Sequence, residues 1–415
     1  MSPLLLRGAR LPDGDVRDLL LDPDSGLVAR VAPPGVLPSG PDELDLTGHL
    51  LLPAPAEPHA HLDKALTWDL AQALPAGAPA GALPGDLSSA VTAWRAYAAR
   101  VTEEDVFQRA GRAVDELRAN GVTAVRTHVD LLTDNGSYRA GDPLRGLRAL
   151  LRLRRQLRGR VRLQIAVLHI DAPDELLHQA LDLGADLLGD CPHLSADPAA
   201  SVERTLRIAA EHQVGVDLHA DETLDPGAQD LRLLARAVRE RGFVSGVTAS
   251  HCVSLGAVEP EEAARTAKEV AAAGIGVVAL PLTNLYLQGR DRPSSTPRGL
   301  TAVRALLDAG VTVAAGGDNI RDPFNPVGRA DPLETASLLV TAGHLTPGEA
   351  LHAVTAGARA VLGLPEAGPY EGAVADLLAV RAQTVSEVLG ASCPERLVFA
   401  GGRLVSRTSV VRELY

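Results

Sequence analysis

About eight short apolar segments, several of them joined by helical stretches, recur between residues 49 and 318, and this recurrence constrains the fold more than any other feature of the chain. The first is the run 49–56, which leads into Glu57-Pro58-His59-Ala60-His61-Leu62-Asp63-Lys64. The others are 122–130, 161–167, 186–190, 214–219, 245–251, 276–281 and 311–318. Helical stretches before them end in glycine, as in Leu181-Asp182-Leu183-Gly184 and Leu307-Asp308-Ala309-Gly310, where the left-handed backbone that closes a helix is free of steric cost. Strand and helix alternating through eight units predict an α/β protein of the (β/α)8 TIM-barrel type. An open doubly wound sheet competes for the same pattern. It is disfavoured because no Gly-rich phosphate loop follows the first strand, and because polar residues close many strands rather than one switch point.

Outside this region the pattern changes. Short apolar runs at Leu4-Leu5-Leu6, Leu19-Leu20-Leu21 and Leu27-Val28-Ala29 are parted by Pro, Gly and Asp, and 396–405 reads as a hairpin turning at Gly401-Gly402. The two ends are expected to combine into a small β-sandwich domain, 1–52 with 363–415, around a barrel over 53–362. Within the barrel a Pro/Gly-rich loop is expected over 75–85, and helices over 89–99 and 106–119, the second stopped by Asn120-Gly121.

The chain has 415 residues, 46% of them hydrophobic, which is ample for a large core. A net charge of -12 disfavours nucleic acid or an anionic membrane surface and leaves a small molecule as the expected partner. There is no uncharged apolar run of the roughly 18 residues that a membrane span needs. The N-terminal run at Leu4 is too short for a signal peptide. Three cysteines, Cys191, Cys252 and Cys393, are too few and too scattered for a disulfide framework or a Cys-rich zinc site, so a cytoplasmic location is expected. A homo-oligomer is compatible with the sequence.

The chemistry-bearing residues fall at strand ends. On a strand, His59 and His61 share a face. In a barrel the strand C-termini meet at one mouth, which would bring this pair beside His219 of the fifth strand, His251 of the sixth and Asp318 of the eighth. Three imidazoles and a carboxylate suit one divalent ion, Zn or Fe(II), whose bound water is acidified toward neutrality. Asp318 is then placed to take a proton and His251 to hydrogen-bond the attacking oxygen. Glu222, three residues beyond His219, could protonate the far side of a substrate. Any one of these histidines alone is more simply a hydrogen-bonded core residue, and Glu222 alone could be an acid at a helix N-terminus. Their recurrence at strand ends carries the catalytic reading.

The segments EPHAHLD (57–63), VRTHVD (125–130), LQIAV (163–167), VDLHADE (216–222), VTASH (247–251), PLTNLYLQGR (281–290) and GDNIRDP (317–323) make the chain resemble the amidohydrolase superfamily, in its cytosine deaminase branch. The resemblance implies that His59, His61, His219 and Asp318 are metal ligands, Glu222 the proton-shuttling acid and His251 a group that orients the attacking water, with Gln164 reading the ring edge of the substrate. The fourth strand carries Asp190-Cys191 where binuclear relatives place a modified lysine, which favours one metal. Asn319 and Phe324 stand where cytosine deaminases of the branch have an aspartate and a tryptophan; Asp318-Asn319-Ile320-Arg321-Asp322 is similar to enzymes that strip alkylamines from hydroxylated triazines. Asn319, Phe324 and His128 are expected at the substrate, with Lys64, Asn284 and Gln288 near it. The expected activity is hydrolytic replacement of an amino or alkylamino group on a nitrogen heterocycle. The alternatives are ring opening of a cyclic amide, and a metal-binding homologue without turnover.

Overall fold

The computed structural model describes residues 2–72, 85–132, 141–292 and 294–415. Apart from Gly85, the expected Pro/Gly-rich loop lies outside the described residues. The N-terminal segment forms β1 (Leu4–Arg10), β2 (Val16–Asp22), β3 (Leu27–Ala32), β4 (Asp42–Asp45) and β5 (Leu50–Pro53). Eight strands of a second sheet follow: β6 (Ala56–Ala60), β7 (Ala124–Asp130), β8 (Arg162–His169), β9 (Leu187–Asp190), β10 (Gly215–Ala220), β11 (Val247–His251), β12 (Gly276–Ala279) and β13 (Val313–Ala315). The chain ends with β14 (Leu377–Val380), β15 (Arg396–Ala400) and β16 (Arg403–Thr408).

Strands β6 to β13 pair in chain order, each parallel to its neighbour. The circle closes where Ala60 bridges Asp318 and the Asp318 N–H donates to the His59 carbonyl at 3.1 Å. This is the expected (β/α)8 barrel. The strands are buried almost throughout because a parallel barrel is covered on both faces. Helices form where the local signals agree. The Glu103–Ala119 helix starts at Thr102, whose side chain accepts from the Asp105 N–H, and has three acids in its first turn. It buries Val106, Ala110, Ala113, Val114 and Leu117 at helical spacing. It stops at Asn120-Gly121, as expected, where Gly121 has φ +111° and a Cβ would strike Leu378 Cδ2 at 2.9 Å.

The two ends of the chain meet in the other sheet, with strand order β16-β15-β14-β5-β1-β2-β3 and β4 beside β1. Register shifts in the β1–β2, β2–β3 and β15–β16 pairs bend this sheet over a separate core that includes Leu6, Leu19, Leu21, Leu51, Leu377 and Phe399.

One expectation is corrected. The apolar run 49–56 is not a single strand leading into the histidines. Leu50–Pro53 pairs antiparallel with β14 in the terminal sheet, and the barrel begins at Ala56. Pro53 and Pro55 lack the N–H that a continuing ladder needs, so the chain changes sheets between them.

Candidate active site

Four strand ends deliver five side chains to one point at the C-terminal mouth of the barrel. His59 lies on β6, His61 one residue past it, His219 on β10, His251 at the end of β11 and Asp318 just beyond β13. The Nε2 atoms of His59 and His61 stand 3.2 Å and 3.1 Å from His219 Nε2. Two nitrogens each about 2.0–2.1 Å from a shared tetrahedral cation are separated by roughly 3.3 Å. Asp318 Oδ1 lies 3.5 Å from His61 Nε2 and 3.8 Å from His59 Nε2.

The electrostatics point the same way. Burial holds the pKa of His59, His61 and His219 well below the usual imidazole range, so each ring is neutral and carries a lone pair. Burial, with Glu222, Asp322 and Glu57 nearby, pushes the Asp318 carboxyl well above the usual range, and both its oxygens are buried without a hydrogen-bond partner. Neutral imidazoles around an unpartnered buried carboxyl are a donor set that a divalent cation satisfies. The residues present therefore fit a metal ion.

Behind the cluster, His59 Nδ1 lies 2.9 Å from Ser250 Oγ, which itself donates to Asp217 Oδ1 at 2.8 Å. Ser250 must then accept from the ring, leaving the lone pair of His59 on Nε2. Burial alone would raise the Asp217 pKa. His128 and the Arg126 guanidinium, 2.8 Å from Oδ2, instead hold it well below the usual carboxylate range. Beside His61, Lys64 Nζ is 3.2 Å from Nδ1 and donates to Asp130 Oδ1 at 2.6 Å, while Trp94 Nε1 donates to Asp130 Oδ2 at 2.8 Å. Glu57, its pKa pushed up to about 8 by burial, accepts from the backbone N–H groups of Gly317 and His59 and ties β6 to the turn that carries Asp318.

Glu222 and His251 face each other across the mouth, with His251 Nδ1 3.5 Å from Glu222 Oε1 and 3.0 Å from Asn284 Oδ1. His251 Nε2 is buried without a hydrogen bond and lies 3.9 Å from Asp318 Oδ2. Asp221, not Glu222, serves the following helix. Its carboxylate accepts from the N–H groups of Asp230 and Leu231 at 2.7 Å and 3.2 Å, which leaves the Glu222 carboxylate uncommitted to a helix end. Asp221, His251, Cys252 and Asp318 all adopt left-handed backbone, with φ from 49° to 70°. Each costs on the order of 1 kcal/mol, held in place by the surrounding barrel.

The cluster floors a cavity of about 540 Å³ counting its open mouth. Its walls are apolar at Leu87, Val91, Trp94, Leu168, Ile170 and Phe324, and polar at Lys64, Asp130, Glu222 and Asn319. Residues 77–388 match the family described as "Amidohydrolase family". The pterin deaminase of Rhizobium rhizogenes is 32% identical over 394 residues, which span 92% of this chain and 86% of that protein.

The chain belongs to the amidohydrolase family.

Among solved structures, 5-methylcytosine deaminase from Klebsiella pneumoniae superposes with a TM-score of 0.86 at 28% identity, covering 99% of each chain. N-isopropylammelide isopropylaminohydrolase from Burkholderia multivorans gives 0.80 at 31%, covering 98% of this chain and 99% of that one. As an amidohydrolase the chain is a hydrolase of carbon–nitrogen bonds other than peptide bonds, and its family uses a metal ion.

Not every expected residue of this amidohydrolase reaches the cavity. Gln164 is the third residue of β8, near the strand's N-terminal end, opposite Arg126. It donates to the Leu362 carbonyl at 2.8 Å, accepts from Arg126 Nε at 3.2 Å, and lines a depression at the other end of the barrel. Its expected contact with substrate is therefore corrected: strand position, not residue type, decides which end a side chain serves. His128 is likewise corrected. It is fully buried below the mouth, its ring centroid 4.1 Å from that of His59 and its Nε2 3.6 Å from Asp217 Oδ2, and it does not line the cavity. Asn319 and Phe324 do line it, although the Asn319 amide already donates to Asp322 at 2.8 Å and accepts from Thr283 at 3.4 Å. Lys64 lines it too, whereas Asn284 stands behind His251 and Gln288 donates to the Glu222 carbonyl at 3.1 Å. Asp217, Ser250, Asp130 and Trp94 were not singled out from sequence. Two of them carry a signal: Asp217 lies two residues before His219 on the same strand face, and Asp130 closes β7.

Proposed function

We propose that this amidohydrolase binds one divalent ion, Zn or Fe(II), and hydrolytically replaces an amino or alkylamino group on a nitrogen heterocycle by oxygen. The observation that carries the reading is the convergence of His59, His61, His219 and Asp318 on one point, with Glu222 and His251 across the same cavity. The relatives support it: those above are named for pterin, 5-methylcytosine and N-isopropylammelide, and each name describes removal of an amine.

His59, His61, His219 and Asp318 would hold the ion, which when bound supplies a Lewis acid that lowers the pKa of water toward neutrality. Asp318, its carboxyl oxygens buried without a hydrogen-bond partner, takes the proton of the attacking water, and His251 Nε2 hydrogen-bonds the same oxygen. Glu222 donates a proton to the ring, regains one from the added hydroxyl and passes it to the departing amine, and the proton held by Asp318 returns to Glu222, so that water and the ring amine become a ring carbonyl and free amine. Phe324 and Trp94 give the ring an apolar wall, and Asn319 keeps one amide hydrogen for it. Cys191, at the end of β9, is a thiol whose pKa burial raises well above its usual value, a poor bridge for a second ion. The free, buried cysteines support a cytoplasmic location, and among the described residues no helix is long and apolar enough to cross a membrane.

The test is a panel of aminopyrimidines, aminotriazines and pterin-like rings incubated with metal-replete protein, with elemental analysis of the protein as isolated. Release of ammonia or alkylamine is expected. A ring-opened acid without free amine would transfer the activity to cyclic amide hydrolysis, and no turnover of any ring would remove the proposal.

A further inference from the structure

The mechanism above leaves one half-buried cation of the cavity wall unused. Arg95 lies on the Leu87–Ala98 helix, directly after Trp94, and its side chain lines both the catalytic cavity and a wider chamber outside it, about 1,800 Å³ counting the open mouth. The two spaces share walls at Leu87, Val91, Arg95, Leu194 and Glu222, so a ligand can occupy both. Among the described residues Arg95 has no hydrogen bond or ion pair, and its Nε is buried without an acceptor. Neighbouring arginines are not left this way: Arg109 is saturated by Asp105 and the Ala65 carbonyl, and Arg145 by the carbonyls of Ala98 and Val101.

Among the described residues no carboxylate of the chamber, Glu222 included, makes an ion pair with it. Asp86 accepts from Ser89, Asp225 from the Gly227 N–H, and Asp230 from the His193 N–H. His193 lines the same chamber, with Nδ1 3.1 Å from Asp230 and a buried Nε2 that also lacks a partner. A guanidinium nitrogen removed from water and given no protein acceptor is a standing cost to folding, which a ligand can offset.

We infer that the substrate is a heterocycle bearing a carboxylate substituent, and that Arg95 is the specificity-determining residue that receives this group while the ring lies in the inner cavity. The planar guanidinium fork matches a carboxylate bidentately, which a lysine ammonium cannot do. The inference rests on the aminohydrolase reading for the ring, and on Arg95 and the outer chamber for the substituent.

The experiment uses metal-replete protein and matched ligands from each ring class of the panel: the bare ring, its carboxymethyl derivative and the neutral carboxamidomethyl derivative. Affinities are measured by calorimetry and amine release by initial rates. The carboxymethyl ring is expected to bind about tenfold or more tightly than its neutral partners. Arg95→Gln should reduce that ratio to near one, and Arg95→Lys should keep part of it. Equal affinities across a matched set, absence of binding by all members, or a preference that survives Arg95→Gln overturns the inference. An Arg95-dependent preference without amine release leaves it standing and removes the aminohydrolase reading; amine release without the preference does the opposite.

Discussion

Ser250 Oγ accepts from His59 Nδ1 across 2.9 Å and passes its own hydrogen to Asp217, so a hydroxyl on β11 fixes the lone pair of a ring on β6. Partners of this kind typically contribute 10–100-fold to metal affinity, roughly the factor expected to be lost in Ser250→Ala. Chelator competition followed by metal analysis measures it. An unchanged affinity would show that the contact does not orient the ring.

Glu222 touches neither the convergence point of the three imidazoles nor a helix end, and its carboxylate is only 6% exposed at the mouth. Glu222→Gln should therefore lower kcat by about 10²–10⁴-fold while metal content stays at the wild-type level. Parallel loss of both would move Glu222 from proton transfer to structure.

Gly316 has no room for a side chain, because a Cβ there would lie 2.2 Å from Glu57 Oε1 with Leu280 and Pro58 at 3.3 Å. Gly316→Ala must displace the carboxyl that joins β6 to the turn carrying Asp318. Overpacking of this kind costs about 1–3 kcal/mol. A lowered Tm together with weakened metal retention is expected, and a Tm equal to wild type would show that Glu57 moves without penalty.

Glu349 links two helices, accepting from Thr346 in a capping box and from both Nη atoms of Arg304. The Arg304 side chain, then the Thr346 bonds, hold its pKa down from 4.5 to about 2. A depressed carboxyl stabilises the fold above its unfolded pKa and loses that contribution as pH falls through its folded value. Glu349→Gln should therefore melt slightly below wild type at pH 7, and the two curves should converge between about pH 4.5 and 2. A gap that stays constant across this window would assign the difference to packing rather than charge. Thermal scans at stepped pH measure it.

Much of this architecture is legible in the sequence, because strand ends in a parallel barrel share one rim. His59, His61, His219, His251 and Asp318 each sit within three residues of the end of a strand, so locating the strands locates the cluster. The ties behind it are not legible. Asp130 meets Lys64 and Trp94, and Asp217 meets Ser250, only once strand register and helix docking are known. Gln164 shows the converse error. The family resemblance places Gln164 at the substrate, but the third position of an eight-residue strand opens on the opposite end, whereas Leu168, near the strand's last residue, reaches the cavity. His128 fails more narrowly: two residues short of Asp130, it ends one layer too deep.

The pairing of β5 with β14 also sets an order of events during synthesis. Leu50-Leu51-Leu52 leaves the ribosome long before its partner Leu377–Val380 exists, so an apolar strand edge of the nascent chain waits while the whole barrel is translated. Chaperone dependence should accordingly concentrate in that interval, and a truncation ending before β14 should aggregate even with every barrel strand present.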